Sequence, residues 1–262
     1  MHPRTVTHLA FDAHRDGFSL VNALACARVS LLAYDDAAAV ERTAGEWGFD
    51  RARVFAREAN AGIVLSGGDL IVVAFRGTDE RADWLTNLNI LLKRSPLGLV
   101  HRGFMEAAES FWPELARYLL EGEDNGRRVW VTGHSLGGAV ALLAATKLLV
   151  EDHVPIAGLY TFGQPPVGAT SFCSAFEEQR PFPMFRFINH TDAVADAPLL
   201  SCEHVGDVRY FDTSGALWEG EPPWRVRLGD AVRAPRKYGG LSQISAHAMK
   251  TYVELLASRV SA

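Results

Sequence analysis

The sequence predicts an α/β fold, a mostly parallel central sheet with helices on both faces. Three observations predict it. Strand-like runs alternate with helical apolar spacing along most of the chain, the rhythm of a parallel sheet built by crossover helices. The run at 70–75, LIVVAF, is apolar throughout, as a strand covered on both faces must be. At 129–145 a strand-like VWVT runs into GHSLG and then into an apolar helical run. Gly-x-Ser-x-Gly between a strand and a helix makes a turn tight enough to lift one hydroxyl above the sheet edge. Gly133 and Gly137 are wanted there because a side chain at either would meet the crossing backbone.

The first helix is expected at 17–34, where Leu20, Leu24, Ala27, Leu31 and Tyr34 mark one apolar face, with Ser19 or Asp16 as cap. Residues 41–49 suggest a short helix carrying Trp47. Strands at 52–57 and 63–65 fit a hairpin, and 70–75 follows after the turn at 67–69. Residues 83–93 put Trp84, Leu85, Leu88, Leu91 and Leu92 on a broad apolar helical face, ended by Pro96 and Gly98. Phe104, Ala107, Ala108, Phe111 and Leu115 predict an amphipathic helix over 104–120, with Pro113 either kinking it or starting a second helix. The helix after Ser135 runs to 150. Strands follow at 156–162, 185–189 and 205–211, with a helix at 169–179 and a last amphipathic helix at 247–260. The stretch 212–242, with Pro222, Pro223 and Pro235, reads as a long loop or small cap. No repeat or linker interrupts 1–262, so one domain is expected.

Composition narrows the function classes. A net charge of −5 and the lack of a basic cluster argue against nucleic acid as a partner. Cys26, Cys173 and Cys202 form no CxxC or Cys/His pattern, so no metal or cofactor is expected. Three thiols cannot all pair, and buried free thiols are favoured over a Cys173–Cys202 bridge. The first residues hold no apolar signal-peptide core, which leaves the cytoplasm as default and a secreted mature form open. No run is long and apolar enough for a transmembrane segment.

A serine hydroxyl is a weak nucleophile at neutral pH and needs an adjacent base. Around an elbow of this kind the chain order is serine, then acid, then histidine. That order removes His2, His8, His14 and His101, and His134 points away beside the serine. His153, His190, His204 and His247 remain, and His247 follows the long loop, so it can hang over Ser135. For the acid, Asp192 directly follows the strand at 185–189, with Asp196 as runner-up. Charge developing on a carbonyl oxygen needs N–H donors aimed at it. Leu136, at the helix start, supplies one, and Thr78, after the strand at 70–75, is placed for the second.

FRGT, a DW-x-x-N-L segment, VHRGF, TGHSLGGA, TFGQPPVG, an HTDAV run and a late histidine occur in one order. In this the chain resembles the class 3 lipase family, the fungal-type triacylglycerol lipases and their relatives, over about residues 60–255. The resemblance implies an α/β-hydrolase fold and metal-free hydrolysis of carboxylic esters, often long-chain acylglycerols. It implies Ser135 as nucleophile, Asp192 as acid, His247 as base, and Thr78 with Leu136 as the oxyanion pair. The segment 79–100 resembles the family's lid. Trp84, Leu85 and Leu88 would then cover the site in water and turn toward lipid at an interface; a fixed helix is the alternative. Pro166 stands where the family often has arginine, and Ala195 where it often has proline. The expected partner is a small-molecule or lipid ester, with transient contact at a lipid interface. The other readings are an acyltransferase or phospholipase with the same triad, or a catalytically silent lipase-like binding module.

Overall fold

The computed structural model describes residues 9–57, 60–77, 91–121, 126–195, 201–238 and 242–261. Thr78, Trp84, Leu85, Leu88 and Asp196 lie outside the described residues, as does most of the expected lid. The chain begins with helices α1 (Leu20–Leu32) and α2 (Ala37–Trp47), then strands β1 (Arg51–Arg57), β2 (Asn60–Gly67) and β3 (Leu70–Phe75). A hairpin of β4 (Leu92–Ser95) and β5 (Gly98–His101) leads into α3 (Arg102–Glu121). Next come β6 (Arg128–His134), α4 (Leu136–Val150), β7 (Ile156–Phe162), α5 (Thr170–Gln179), β8 (Met184–Asn189), β9 (Asp207–Phe211) and β10 (Leu217–Glu219). Helices α6 (Trp224–Tyr238), α7 (Ser242–His247) and α8 (Met249–Val260) complete the order.

The main sheet runs β1-β2-β3-β6-β7-β8-β9-β10. Strands β3, β6, β7, β8 and β9 pair in parallel; the pairs β1–β2, β2–β3 and β9–β10 are antiparallel. Each parallel strand lies beside its predecessor in the same direction, so right-handed crossovers put α3, α4 and α5 on one face. There Phe104, Phe111, Leu142 and Phe172 pack against Val73, Phe75, Val131 and Leu159. The other face cannot be covered by those crossovers. It is closed by α1 and α8, whose Ala23, Cys26, Ala27, Tyr252 and Leu256 pack over Trp130, Tyr160, Phe187 and Phe211. Alternation does the sorting: Val73 and Phe75 join the first layer, Val72 and Ala74 the second.

Several elements differ from the sequence reading. Helix α1, capped by Ser19 accepting from the Asn22 N–H, is buried nearly all round rather than along one face. Its small Ala and Cys residues let it lie between the sheet and α8. Leu92 and Lys93 are strand, not the end of a helix; Pro96 and Gly98 flank a hairpin turn closed by Ser95 Oγ donating to the Gly98 carbonyl at 2.9 Å. Helix α3 runs unbroken through Pro113, which is exposed, so the Glu109 carbonyl it leaves free can take water.

The stretch 212–242, read as a long loop or small cap, carries β10, helix α6 and the first residue of α7 among its described residues. Pro223 stands just before α6, where a missing N–H costs nothing. The last helix, anticipated over 247–260, runs over 249–260, and across a break at Ala248 His247 ends the preceding helix α7. All three cysteines are free thiols, with Cys26 and Cys173 buried. No helix among the described residues is long and apolar enough to cross a membrane.

Candidate active site

Ser135 joins β6 to α4 with φ 59 and ψ −131, a conformation non-glycine residues avoid. Such strain costs on the order of 1–3 kcal/mol and persists only where surrounding structure imposes it. Two close crossings impose it here. A Cβ on Gly133 would stand 2.2 Å from the Gly137 carbonyl oxygen, and one on Gly137 would stand 2.1 Å from that of Phe75. The Ser135 N–H donates to the Phe162 carbonyl on the neighbouring strand at 2.9 Å. The turn is thereby clamped, and Oγ projects at the carboxyl edge of the sheet.

Three of the residues picked from the sequence meet at that edge. His247 Nε2 lies 2.9 Å from Ser135 Oγ. His247 Nδ1 lies 2.8 Å from Asp192 Oδ1 and 2.9 Å from Oδ2. An ionised carboxylate only accepts, so Nδ1 carries the proton and Nε2 is the acceptor facing the serine hydroxyl. Asp192 is itself fixed by Tyr252 OH at 2.7 Å and by the N–H groups of Val194 at 2.9 Å and Ala195 at 3.3 Å. Burial would raise the Asp192 carboxyl, but attraction to and hydrogen bonding with His247, then the Tyr252 and Ala195 donors, outweigh it and hold the group below its ordinary value. All three members are buried: Ser135 is 1% exposed, Asp192 0% and His247 3%.

Of the remaining candidates, Leu136 stays at the elbow and the other histidines lie away from it. Leu136 heads α4, and its N–H is one of the four that a helix start leaves without an intrahelical acceptor. Gly77, the residue before Thr78, packs on the elbow, where an added Cβ would lie 3.0 Å from Ser135 Cβ. His153 is exposed, and His190 accepts from its neighbour's N–H at 2.8 Å. His204 Nε2 donates to the Ala195 carbonyl at 2.9 Å and lines a cleft of about 260 Å³ with Pro166, Arg186, Ala195 and Arg227. Burial, then the positive charge of Arg186, pushes the His204 imidazole down to about 3, despite its bond to the Ala195 carbonyl.

Sequence reasoning missed four supporting residues. His134 Nε2 sits 2.7 Å from the His247 carbonyl oxygen; a carbonyl only accepts, so the proton is on Nε2. His134 Nδ1 then accepts from Tyr34 OH at 2.8 Å, and Tyr34 Oη accepts from the Gly77 N–H at 3.1 Å. One chain of hydrogen bonds therefore joins the loop after β3 to the main chain of His247. On the acid side, Tyr252 OH also accepts from the Asn189 N–H at 3.0 Å, and Asn189 Nδ2 donates to the Ala246 carbonyl at 2.9 Å. One signal was available: side chains alternate along a strand, so His134 must face the layer opposite its neighbours, where α1 and α8 lie.

Comparison with known proteins gives the same frame. A family model described as Lipase (class 3) matches residues 72–202. A chloroplastic phospholipase A(1), DAD1, of Arabidopsis thaliana is 29% identical over 224 residues, which is 73% of this chain and 50% of that protein. The secreted mono- and diacylglycerol lipase 1 of Fusarium solani is 31% identical over 199 residues, 72% of this chain and 57% of that one. The chain thus spans about half the length of these curated relatives. Among solved structures, a triacylglycerol lipase whose catalytic centre is described as a serine protease triad aligns with TM-score 0.66 and 25% identity, over 78% of this chain and 85% of that one. The native Rhizomucor miehei lipase propeptide complex aligns with TM-score 0.65 and 23% identity, over 80% of this chain and 76% of its own, and shares the fold. The architecture is the α/β-hydrolase fold.

Proposed function

The chain belongs to the class 3 lipase family, and from that membership and the site geometry we propose that it is a serine carboxylic-ester hydrolase acting on acyl lipids. The observation that carries the reading is one ring bridging two groups: His247 reaches Ser135 Oγ at 2.9 Å and the Asp192 carboxylate at 2.8 Å. Ser135 Oγ attacks the ester carbonyl as His247 Nε2 takes its proton. Asp192 stays ionised and stabilises the imidazolium that forms. The Leu136 N–H, aided by the helix start, and Thr78 receive the oxyanion; losing one such donor typically costs roughly 2.7–4 kcal/mol of barrier. His247 then protonates the leaving alcohol, and water repeats the sequence on the acyl-enzyme. Ser135 is 1% exposed, which suits a site reached by movement of a lid. The segment with Trp84, Leu85 and Leu88 is the lid in this reading.

The test is hydrolysis of p-nitrophenyl esters by wild type and Ser135→Ala. A loss of roughly 10⁴–10⁶-fold is expected, and a variant turning over like wild type would sink the reading. A phospholipid substrate is the second reading, favoured by the similarity to a phospholipase A(1). Acyl release from phosphatidylcholine and from triacylglycerol emulsions, compared at equal interface, separates the two. An acyltransferase would show acyl-alcohol product when alcohol is added. A silent binding module would leave Ser135 unlabelled by a fluorophosphonate.

A further inference from the structure

Helix α6 has two faces of opposite character. Its inner face is anchored by Val226, Asp230 and Ala234, four residues apart. Asp230 accepts from Tyr210 OH at 2.7 Å and from the Thr213 N–H at 3.0 Å, which fixes the helix beside the carboxyl end of β9. Its outer face carries Trp224, Leu228 and Val232, also four residues apart, so they form one ridge. They are 68%, 57% and 50% exposed, more than any other described large apolar side chain.

The charges on this helix run against those of the whole chain. The chain is net −5, yet α6 holds Arg225, Arg227, Arg233, Arg236 and Lys237 against the single buried acid Asp230. Arg227 is paired with Glu221 at 3.0 Å. Arg225 lies over the Trp224 ring, 5.5 Å from its centroid, and among the described residues neither it nor Arg233 meets an acidic partner. The helix also lies toward the carboxyl ends of the strands, where Asp230 holds Thr213 just past β9. Val226 packs against the cluster of Ile188, Ala195, Val208 and Tyr210, which includes a residue of the acid loop, and the chain continues from α6 into α7, which ends at His247.

We propose that the Trp224–Leu228–Val232 ridge, with Arg225 and Arg233, docks the protein on a lipid surface carrying anionic headgroups. An exposed apolar ridge with a basic flank and a tryptophan is the composition of a helix lying in the interface plane. Arginine beside it finds its counter-charge in the headgroups. A second protein copy fits less well, because a stable dimer buries about 800 Å² per partner and three side chains on a convex ridge supply much less. Docking through α6 would set the carboxyl edge of the sheet against the lipid, which deepens the lipid-ester reading of the site and rests on it.

The experiment is flotation of Ser135→Ala protein with phosphatidylcholine vesicles, with and without phosphatidylglycerol. Binding is expected to be stronger on the anionic vesicles and to weaken as salt rises. Combining Trp224→Ala with Leu228→Ser should lower that binding by about tenfold or more. Combining Arg225→Glu with Arg233→Glu should remove the preference for anionic vesicles, by about fivefold for each charge lost. Unchanged binding by the ridge variant, or no binding by its parent, overturns the proposal. So does a dimer in sedimentation equilibrium that Leu228→Ser dissociates while vesicles go unbound. The same ridge substitutions in the Ser135 protein should leave hydrolysis of a dissolved short-chain ester unchanged. If that dissolved ester is not hydrolysed at all, the function reading fails while the vesicle result stands by itself.

Discussion

His134 Nε2 donates to the main-chain carbonyl of His247 at 2.7 Å, so the residue before the proposed nucleophile holds the backbone of the proposed base. The two rings lie 4.6 Å apart, centroid to centroid, which leaves no room for His247 to slide toward the sheet. Replacing His134 by Ala removes the donor to that carbonyl and the acceptor of the Tyr34 O–H together. Misplacement by about 1 Å can cost 10²-fold, so kcat should drop by about tenfold to a hundredfold with KM little changed. Tyr34→Phe, which keeps the ring but unlinks the Gly77 N–H, should fall between that variant and wild type. Steady-state kinetics on a dissolved ester reads both.

Gly163 presents the narrowest approach to the acid-base pair. A Cβ there would lie 2.6 Å from Asp192 Oδ2 and 2.8 Å from His247 Nδ1, at a φ of +58 that disfavours any side chain. Gly163→Ala is therefore expected to push the two groups apart. Activity should fall by about a hundredfold or more while far-UV circular dichroism stays native. Full activity in a folded variant would show that the pair tolerates displacement.

Tyr252→Phe removes one donor from the buried Asp192 carboxylate and the acceptor for the Asn189 N–H. Leaving buried groups unsatisfied costs about 1–3 kcal/mol. Denaturant unfolding should show a stability loss in that range. The Asp192 carboxyl should also titrate at higher pH, because a group holding it down has gone.

His204 makes acid stability predictable in sign. Its folded-state value lies at about 3, below the 6.5 of the free group, so the folded protein keeps it neutral where the unfolded chain takes a proton. Its contribution is intact above pH 6.5 and is lost as pH falls toward 3. The slope is at most about 1.4 kcal/mol per pH unit. His204→Gln should flatten that part of the Tm-against-pH curve. An unaltered curve would mean the imidazole is not held neutral.

The parts legible in the sequence were those with a local signature. The elbow glycines carry their own steric demand, and the run at 70–75 has only one sensible environment, a strand covered on both faces. Ser135, Asp192 and His247 could be picked because each follows a strand or precedes a helix in a fixed order. Tyr34 and Tyr252 could not, and for His134 strand alternation gave the face but not the partner. Their contacts are hydrogen bonds across about a hundred residues or at buried faces, and one such bond leaves no periodic mark. Helix α6 was hidden for another reason: its inward anchor is Asp230 and its outward ridge is apolar, the reverse of the usual pattern. The strands β4 and β5 are four residues each, too short for alternation to register.

The aromatic layer over Trp130, Tyr160, Phe187 and Phe211 is shut by two helices that are far apart along the chain. During synthesis on the ribosome, every strand of the sheet is made before residues 249–260 exist. A chain at that stage would lack the cover that Tyr252 and Leu256 give this layer, and with it one of the groups that order Asp192. The final helix therefore works as a closing latch, sealing that layer as it supplies the last support for the acid. Ribosome-bound chains arrested before residue 249 should bind an apolar dye, and chains released after residue 260 should not.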